Sequence, residues 1–263
     1  MKRTILLLLI TFNLNQLSLH AQNMEAYERK VFVEKNDTLL YRLLLPENFD
    51  ETKKYPLLIF LHGAGERGND NQKQLLHGGK LFLEQENREK FPAIVIFPQC
   101  PQENYWAAVD RKVNQDGSRT FTFPKNGKPS KPMALALKLL DSYLKQNFVD
   151  KSRVYIGGLS MGGMGTFDMV SRKPNVFAAA FPICGGDNPA SAKKYAKKVD
   201  FWVFHGAKDD VVPPAFSENM VEAIRKQGGN VKLTIYPEAN HNSWDSAFAE
   251  PELLPWIFST KKN

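Results

Sequence analysis

Ser160 lies in Gly158-Leu159-Ser160-Met161-Gly162, between a strand-like run, Val154-Tyr155-Ile156, and a helix-like run that begins at Met161. A serine hydroxyl is a weak nucleophile until a neighbouring base takes its proton. A sharp strand-to-helix turn presents such a hydroxyl, and glycines two residues either side let the backbones pass closely because no Cβ intervenes. Gly157, Gly163 and Gly165 thin the packing further. The five-residue pattern is weak by itself; the strand-turn-helix setting gives it weight.

Such a serine needs a base, an acid that orients the base, and donors for a developing oxyanion. In one of the chain orders these groups take, the serine comes first, the acid second and the histidine last. Of His62, His77, His205 and His241, only His241 follows both Ser160 and the apolar run ending at Phe204. It falls in a polar loop, Glu238-Ala239-Asn240-His241-Asn242, directly after the last expected strand. The acid belongs in the loop after Phe204, where Asp209 and Asp210 are adjacent candidates. Asp209 stands where a strand-loop acid turns inward; Asp210 is the alternative, and the unused one is a solvated residue or a helix cap. His205 reads as support for that loop. Leu61-His62-Gly63-Ala64-Gly65 closes the first buried strand with a glycine-rich turn. There the N–H of Ala64 is expected to converge with that of Met161 on the oxyanion, with His62 bracing the loop.

Three side chains are candidates for touching substrate. Trp106, beside Tyr105, follows one apolar run, and Trp244 lies three residues after His241. Flat rings suit a phenolic group or a sugar ring; the alternative is that they pack loops against the core. Arg67, in Gly65-Glu66-Arg67-Gly68, suits a substrate carboxylate, or else braces its loop through Glu66 or another acid.

These groups need a frame. Lys30 to Lys35 and Leu39 to Leu45 alternate as a strand pair around Asn36-Asp37. Leu57–Leu61, Ala93–Phe97, Val154–Ile156, Ala178–Phe181 and Phe201–Phe204 are continuous apolar runs, as expected of strands buried on both faces; Val231–Tyr236 completes the set. Met133, Leu137, Leu140 and Leu144 mark one helical face, and Phe216, Met220, Ala223 and Ile224 another, stopped by Gly228-Gly229. Alternating buried strands and helices imply one α/β domain with a mostly parallel sheet covered on both faces. The stretch from Pro98 to Lys131 breaks the pattern, with Asp116-Gly117, Asn126-Gly127 and Pro129 as turn residues and Thr120 to Phe123 as a short strand. Connections this long are often functional, so it is expected to form a pocket wall; the alternative is a surface hairpin.

The chain has 263 residues and a net charge of +7. Met1-Lys2-Arg3, then the apolar Ile5 to Phe12, then Ala21 before Gln22, reads as a signal peptide over 1–21, with 22–263 as the single domain. Its loss removes Lys2 and Arg3 and no acid, taking +7 to +5. The apolar run is too short to span a bilayer, so an exported protein without a stable membrane anchor is expected, periplasmic or secreted. The lysine pairs 193–194 and 197–198 suit a solvated helix face, and no nucleic-acid module accompanies the charge. Cys100 and Cys184 are expected to be free, buried thiols. Metal-site spacings are absent from the sequence.

Four blocks, LHGAGERG, GLSMGGMG, HGAKDDVVP and NHNSW, together resemble those of the α/β-hydrolase superfamily. They are most similar to secreted bacterial carboxylesterases of the phospholipase/carboxylesterase and polyhydroxybutyrate-depolymerase-like groups. The similarity runs over roughly residues 27 to 260. It implies an eight-stranded sheet, no metal or organic cofactor, Ser160 as nucleophile, His241 as base, Asp209 as acid, and Ala64 and Met161 as oxyanion donors. Only about 16 residues, Gly185 to Asp200, separate two strands where many lipases insert a lid, which implies an open pocket and no large lid domain. The resemblance implies a small-molecule or polysaccharide ester as substrate, with feruloyl or acetyl esters of plant polysaccharide as the candidates, and says nothing of oligomeric state. Two rival readings are a serine peptidase of the same fold and a non-catalytic binding module that kept it.

Overall fold

The computed structural model of the chain describes residues 24–262 apart from 116, 118 and 126. The signal peptide expected at 1–21 lies outside the described residues, as do Asp116 and Asn126 of the expected turns. Strands β1 (Glu28–Glu34) and β2 (Asp37–Leu44) pair antiparallel. The apolar runs become β3 (Tyr55–Leu61), β4 (Ile94–Pro98), β7 (Val149–Leu159), β8 (Ala179–Ile183), β9 (Asp200–Gly206) and β10 (Val231–Tyr236). Together with the first pair they form one eight-stranded sheet of order β1-β2-β4-β3-β7-β8-β9-β10. Only β1–β2 and β2–β4 are antiparallel; β4–β3–β7–β8–β9–β10 run parallel.

Side chains alternate across a strand, and β3 divides its residues accordingly between two cores. Leu57, Ile59 and Leu61 join one cluster with helices α2 (Lys131–Leu144), α3 (Met161–Arg172) and α4 (Ala215–Lys226). Leu58 and Phe60 join a second with α5 (Trp244–Phe248) and α6 (Leu253–Ser259). Both faces are therefore covered, which explains why these runs are apolar throughout rather than alternating. Each fully buried aliphatic or aromatic side chain contributes about 1.5–3 kcal/mol. This is the α/β-hydrolase fold.

The helical periods were legible, but the buried stripe of α2 is rotated from the expected one. Met133, Leu135, Ala136, Leu139 and Leu140 are buried, while Leu137 and Leu144 pack only at the margin. Ser130 caps its first turn by accepting the Met133 N–H at 3.2 Å. Gly228, at φ +72, ends α4 in the left-handed conformation that glycine adopts without strain.

Between β4 and α2 the chain forms a separate hairpin of β5 (Asp110–Val113) and β6 (Arg119–Thr122). β5 was not expected, because Asp110-Arg111-Lys112-Val113 has no apolar alternation and is exposed throughout. Phe121 and Phe123 anchor the hairpin against Val212 and Phe216. A short helix, α1 (Gln85–Lys90), precedes β4. Residues 184–199, between β8 and β9, hold one 3-10 segment, Pro189–Lys194, in place of a lid. Cys100 and Cys184 are buried and unbridged.

Candidate active site

Ser160 stands between the end of β7 and the first turn of α3 with φ 52 and ψ −115. A positive φ is strained for a side chain with a Cβ. The turn is held because the Ser160 N–H donates to Ile183 O at 2.9 Å and its carbonyl accepts the Met164 N–H at 3.0 Å. A Cβ on Gly162 would collide with the Leu61 carbonyl, and one on Gly158 with the Gly162 backbone. Only glycines let β3, β7 and α3 meet here.

Ser160 Oγ is 2.9 Å from His241 Nε2, and His241 Nδ1 is 2.8 Å from Asp209 Oδ2. A carboxylate only accepts, so Nδ1 carries the proton and Nε2 faces the hydroxyl as an acceptor. Asp209 Oδ1 accepts the N–H groups of Val211 and Val212, each at 2.9 Å. Burial opposes ionisation of Asp209. Hydrogen bonds from His205, His241 and Val212 outweigh it and hold the carboxyl well below the usual range. Asp209 is 6% exposed, whereas Asp210 is exposed and outside the chain of contacts.

His205 is wholly buried. Its Nε2 lies 2.8 Å from Val212 O and 3.1 Å from Asp209 Oδ2, and its Nδ1 lies 2.7 Å from Ser217 Oγ. It ties β9 to the Asp209 loop and to α4. His62 is also structural: Nδ1 donates to Gly63 O at 2.6 Å and Nε2 accepts the Cys100 N–H at 2.9 Å. Burial pushes its imidazole down to about 4, so it stays neutral.

Ser160 opens into a cleft of about 500 Å³, a size suited to a small ligand. Ala64 lines it, at the start of a 3-10 turn, and Met161 is the first residue of α3. The first N–H groups of a helix have no intrahelical acceptor, and the positive end of its dipole adds attraction for an anion there. Trp244 lines the cleft, edge-on to His241 at 5.4 Å and beside His77 at 5.1 Å.

One substrate candidate is corrected, and a second borders the cleft while bracing its loop. Trp106 is 0% exposed, donates Nε1–H to His62 O at 3.1 Å, and does not reach the cleft; it holds the glycine-rich loop from beneath. Arg67 borders the cleft and, with no acid within ion-pair distance among the described residues, braces its loop by donating to the carbonyls of Ala64 (2.8 Å), Gln102 (2.9 Å) and Asn104 (3.3 Å). Sequence reasoning missed the buried Glu66 and its neighbour His77 (3.7 Å), Val211 and Val212, and the hairpin residues Arg111, Val113, Arg119 and Phe121. The 98–131 stretch is thus a wall of the cleft, though nothing in its composition marked which residues face inward. Among the described residues, Cys184, Asp209 and His241 bring potential metal-ligand atoms within 4.8 Å. The acid and imidazole there already bind each other, and burial pushes the Cys184 thiol up.

Residues 49–250 match the model of the Phospholipase/Carboxylesterase family. The chain belongs to this family. Over 172 residues, 65% of the chain, it is 36% identical to a bifunctional acetylxylan esterase/xylanase of Neocallimastix patriciarum. It spans only 22% of that protein. It is 26% identical over 194 residues to lysophospholipase-like protein 1 of Mus musculus, covering 70% of this chain and 79% of that one. Among solved structures, a thermostable esterase superposes with a TM-score of 0.81 at 32% identity, over 91% of this chain and 64% of that one. A ferulic acid esterase of Anaeromyces mucronatus, at 16% identity and TM-score 0.63 over 89% and 90% of the two chains, shares the fold.

Proposed function

We propose that this member of the family is a serine carboxylesterase working through an acyl-enzyme on Ser160. The observation that carries this reading is the pair of contacts from Ser160 Oγ through His241 to Asp209, at 2.9 and 2.8 Å, opening on the cleft. In the proposed cycle Ser160 Oγ attacks the ester carbonyl carbon while His241 Nε2 takes its proton. The C–O bond to the alcohol then breaks, and the same proton goes to the leaving oxygen. Water repeats the sequence on the acyl-enzyme and releases the acid. Ionised Asp209 holds the imidazole tautomer and stabilises the imidazolium, and the Ala64 and Met161 N–H groups bind the oxyanion. One such donor is worth about 10²–10³ in rate.

The substrate reading is an acyl ester of plant polysaccharide, acetyl or feruloyl. It is supported by the likeness to the bifunctional acetylxylan esterase/xylanase and by the Trp244 ring beside His241. Export is part of the same reading, supported by Met1-Lys2-Arg3 and the apolar residues after them. Among the described residues no helix is long and apolar enough to cross a membrane.

The test is Ser160→Ala. It is expected to abolish hydrolysis of 4-nitrophenyl acetate and labelling by a fluorophosphonate, with the circular dichroism spectrum unchanged. Turnover that persists in the folded variant rejects Ser160 as nucleophile. Comparing acetylated xylan and methyl ferulate with 4-nitrophenyl acetate then tests the acyl group, and a mature N-terminus at Gln22 tests export.

A further inference from the structure

Among the described residues, the cleft beside Ser160 is bordered by four cationic side chains, Arg67, Arg111, Lys112 and Arg119, and by one carboxylate, Glu66, which faces His77. Three of the cations belong to the β5–β6 hairpin. In its register Arg111 stands opposite Phe121, and Val113 opposite Arg119. Alternation therefore puts these four side chains on one face, and all four border the cleft. Phe121 is buried edge-on against Phe216 at 5.8 Å, which fixes that face toward the site. Arg111 lies 4.0 Å above the Tyr105 ring.

Lys30, Lys53, Lys73, Lys90, Lys131, Lys138, Lys173 and Lys226 each have a carboxylate within ion-pair distance. Among the described residues, Arg111, Lys112 and Arg119 have none, and Arg67 turns to carbonyls. Arg111 and Arg119 are diagonal neighbours on the hairpin, close enough for long side chains to interact. Like charges so placed repel unless an anion lies between them. Arg111, Arg67 and Arg119 also act together on the Tyr105 phenol, opposing the rise that burial causes in its pKa; their positive charges converge on one part of the cleft.

We propose that the hairpin face is a carboxylate-binding subsite: the ester opened at Ser160 carries a second, ionised carboxyl group held by Arg111 and Arg119. Arginine suits this, since its planar fork matches a carboxylate and never loses its charge. The carboxylate belongs either to a dicarboxylic acyl group or to an acidic ring on the alcohol side, such as a uronic acid. The proposal rests on the esterase reading above and adds the class of ester.

Matched ester pairs separate these sources. On the acyl side, mono-4-nitrophenyl glutarate is compared with 4-nitrophenyl pentanoate. On the alcohol side, 4-acetoxybenzoate is compared with its methyl ester. Each kcat/KM is divided by the hydroxide-catalysed rate of the same ester. In at least one pair the anionic member is expected to be favoured about tenfold at low salt, the effect of two partly exposed charge pairs. The preference is expected to shrink at about 0.5 M NaCl, where screening shortens to a few ångströms. In the double variant R111Q/R119Q the ratio is expected to fall to near one, through KM rather than kcat. Equal rates in both pairs, or a preference that survives R111Q/R119Q, overturns the subsite.

If no ester is hydrolysed, the esterase reading fails separately. Calorimetry with unreactive amides then decides the subsite: glutarate monoanilide against pentananilide, and 4-acetamidobenzoate against its methyl ester. Tighter binding of an anion, lost in R111Q/R119Q, upholds it, and equal binding overturns it.

Discussion

At Asp209 one carboxylate serves two histidines, and the division of labour is visible atom by atom. Oδ2 meets His241 and His205, while Oδ1 takes two backbone N–H groups. The adjacent Asp210 is solvent-exposed. Asp209→Asn is expected to lower kcat by roughly 10³–10⁴, because the amide no longer enforces the Nδ1–H tautomer. Asp210→Asn is expected to stay within about twofold, as surface changes usually do. Initial rates on one chromogenic ester decide between them, and equal losses in the two variants remove the assignment of Asp209. Spacing alone left the two aspartates open, since neighbours in a loop differ by direction, and direction is set by Val211, Val212 and His205 rather than by sequence distance. Ser160 and His241 were easier to read: each follows a buried apolar run, and parallel sheets deliver such positions to one edge. Trp106 misled for the converse reason. Being near that edge in the chain does not say whether a ring faces the cleft or the core.

The elements show where glycine does work that no other residue replaces. The carbonyl of Leu61, at the end of β3, occupies the space a Gly162 side chain would need. Backbone at the centre of a parallel sheet cannot yield as a flexible side chain does. Gly162→Ala is therefore expected to destabilise by about 1–3 kcal/mol or more. Gly65→Ala, where a Cβ would meet nothing within 4 Å, is expected to stay within about 0.5 kcal/mol. Urea midpoints at constant slope measure both, and an unaffected Gly162→Ala protein rules out the close approach. The apolar strands were legible because burial on both faces demands unbroken hydrophobicity. Hairpin strand β5 was not, because its residues are exposed and charged; what orders it is the anchoring of Phe121 on its partner strand.

Across the whole molecule, acidic groups set opposite limits on the pH range of stability. Asp150 is held down to about 2: burial opposes ionisation, but Ser152 and Arg153 outweigh it. Its contribution is fully present above the unfolded value near 3.8 and is lost as pH falls through about 2. Asp187, in the loop that connects β8 to the 3-10 segment, behaves the other way. Burial pushes its carboxyl up to about 6, against bonds from Asn188 and Ser191 that favour the charged form. A raised carboxyl favours folding while protonated. That advantage is complete below about 3.8 and disappears as pH rises through about 6, because above it the folded chain must carry a partly buried charge that the unfolded chain hydrates freely. Asp187→Asn keeps an acceptor oxygen for Asn188 and Ser191 and removes that charge. It is expected to raise stability at pH 8 by about 1–2 kcal/mol, less than full linkage gives because the side chain is only half-buried. At pH 4, where the native carboxyl is protonated, the gain is expected to vanish. Urea unfolding of both proteins at the two pH values checks this, and an equal gain at pH 4 and pH 8 assigns the effect to packing rather than to charge.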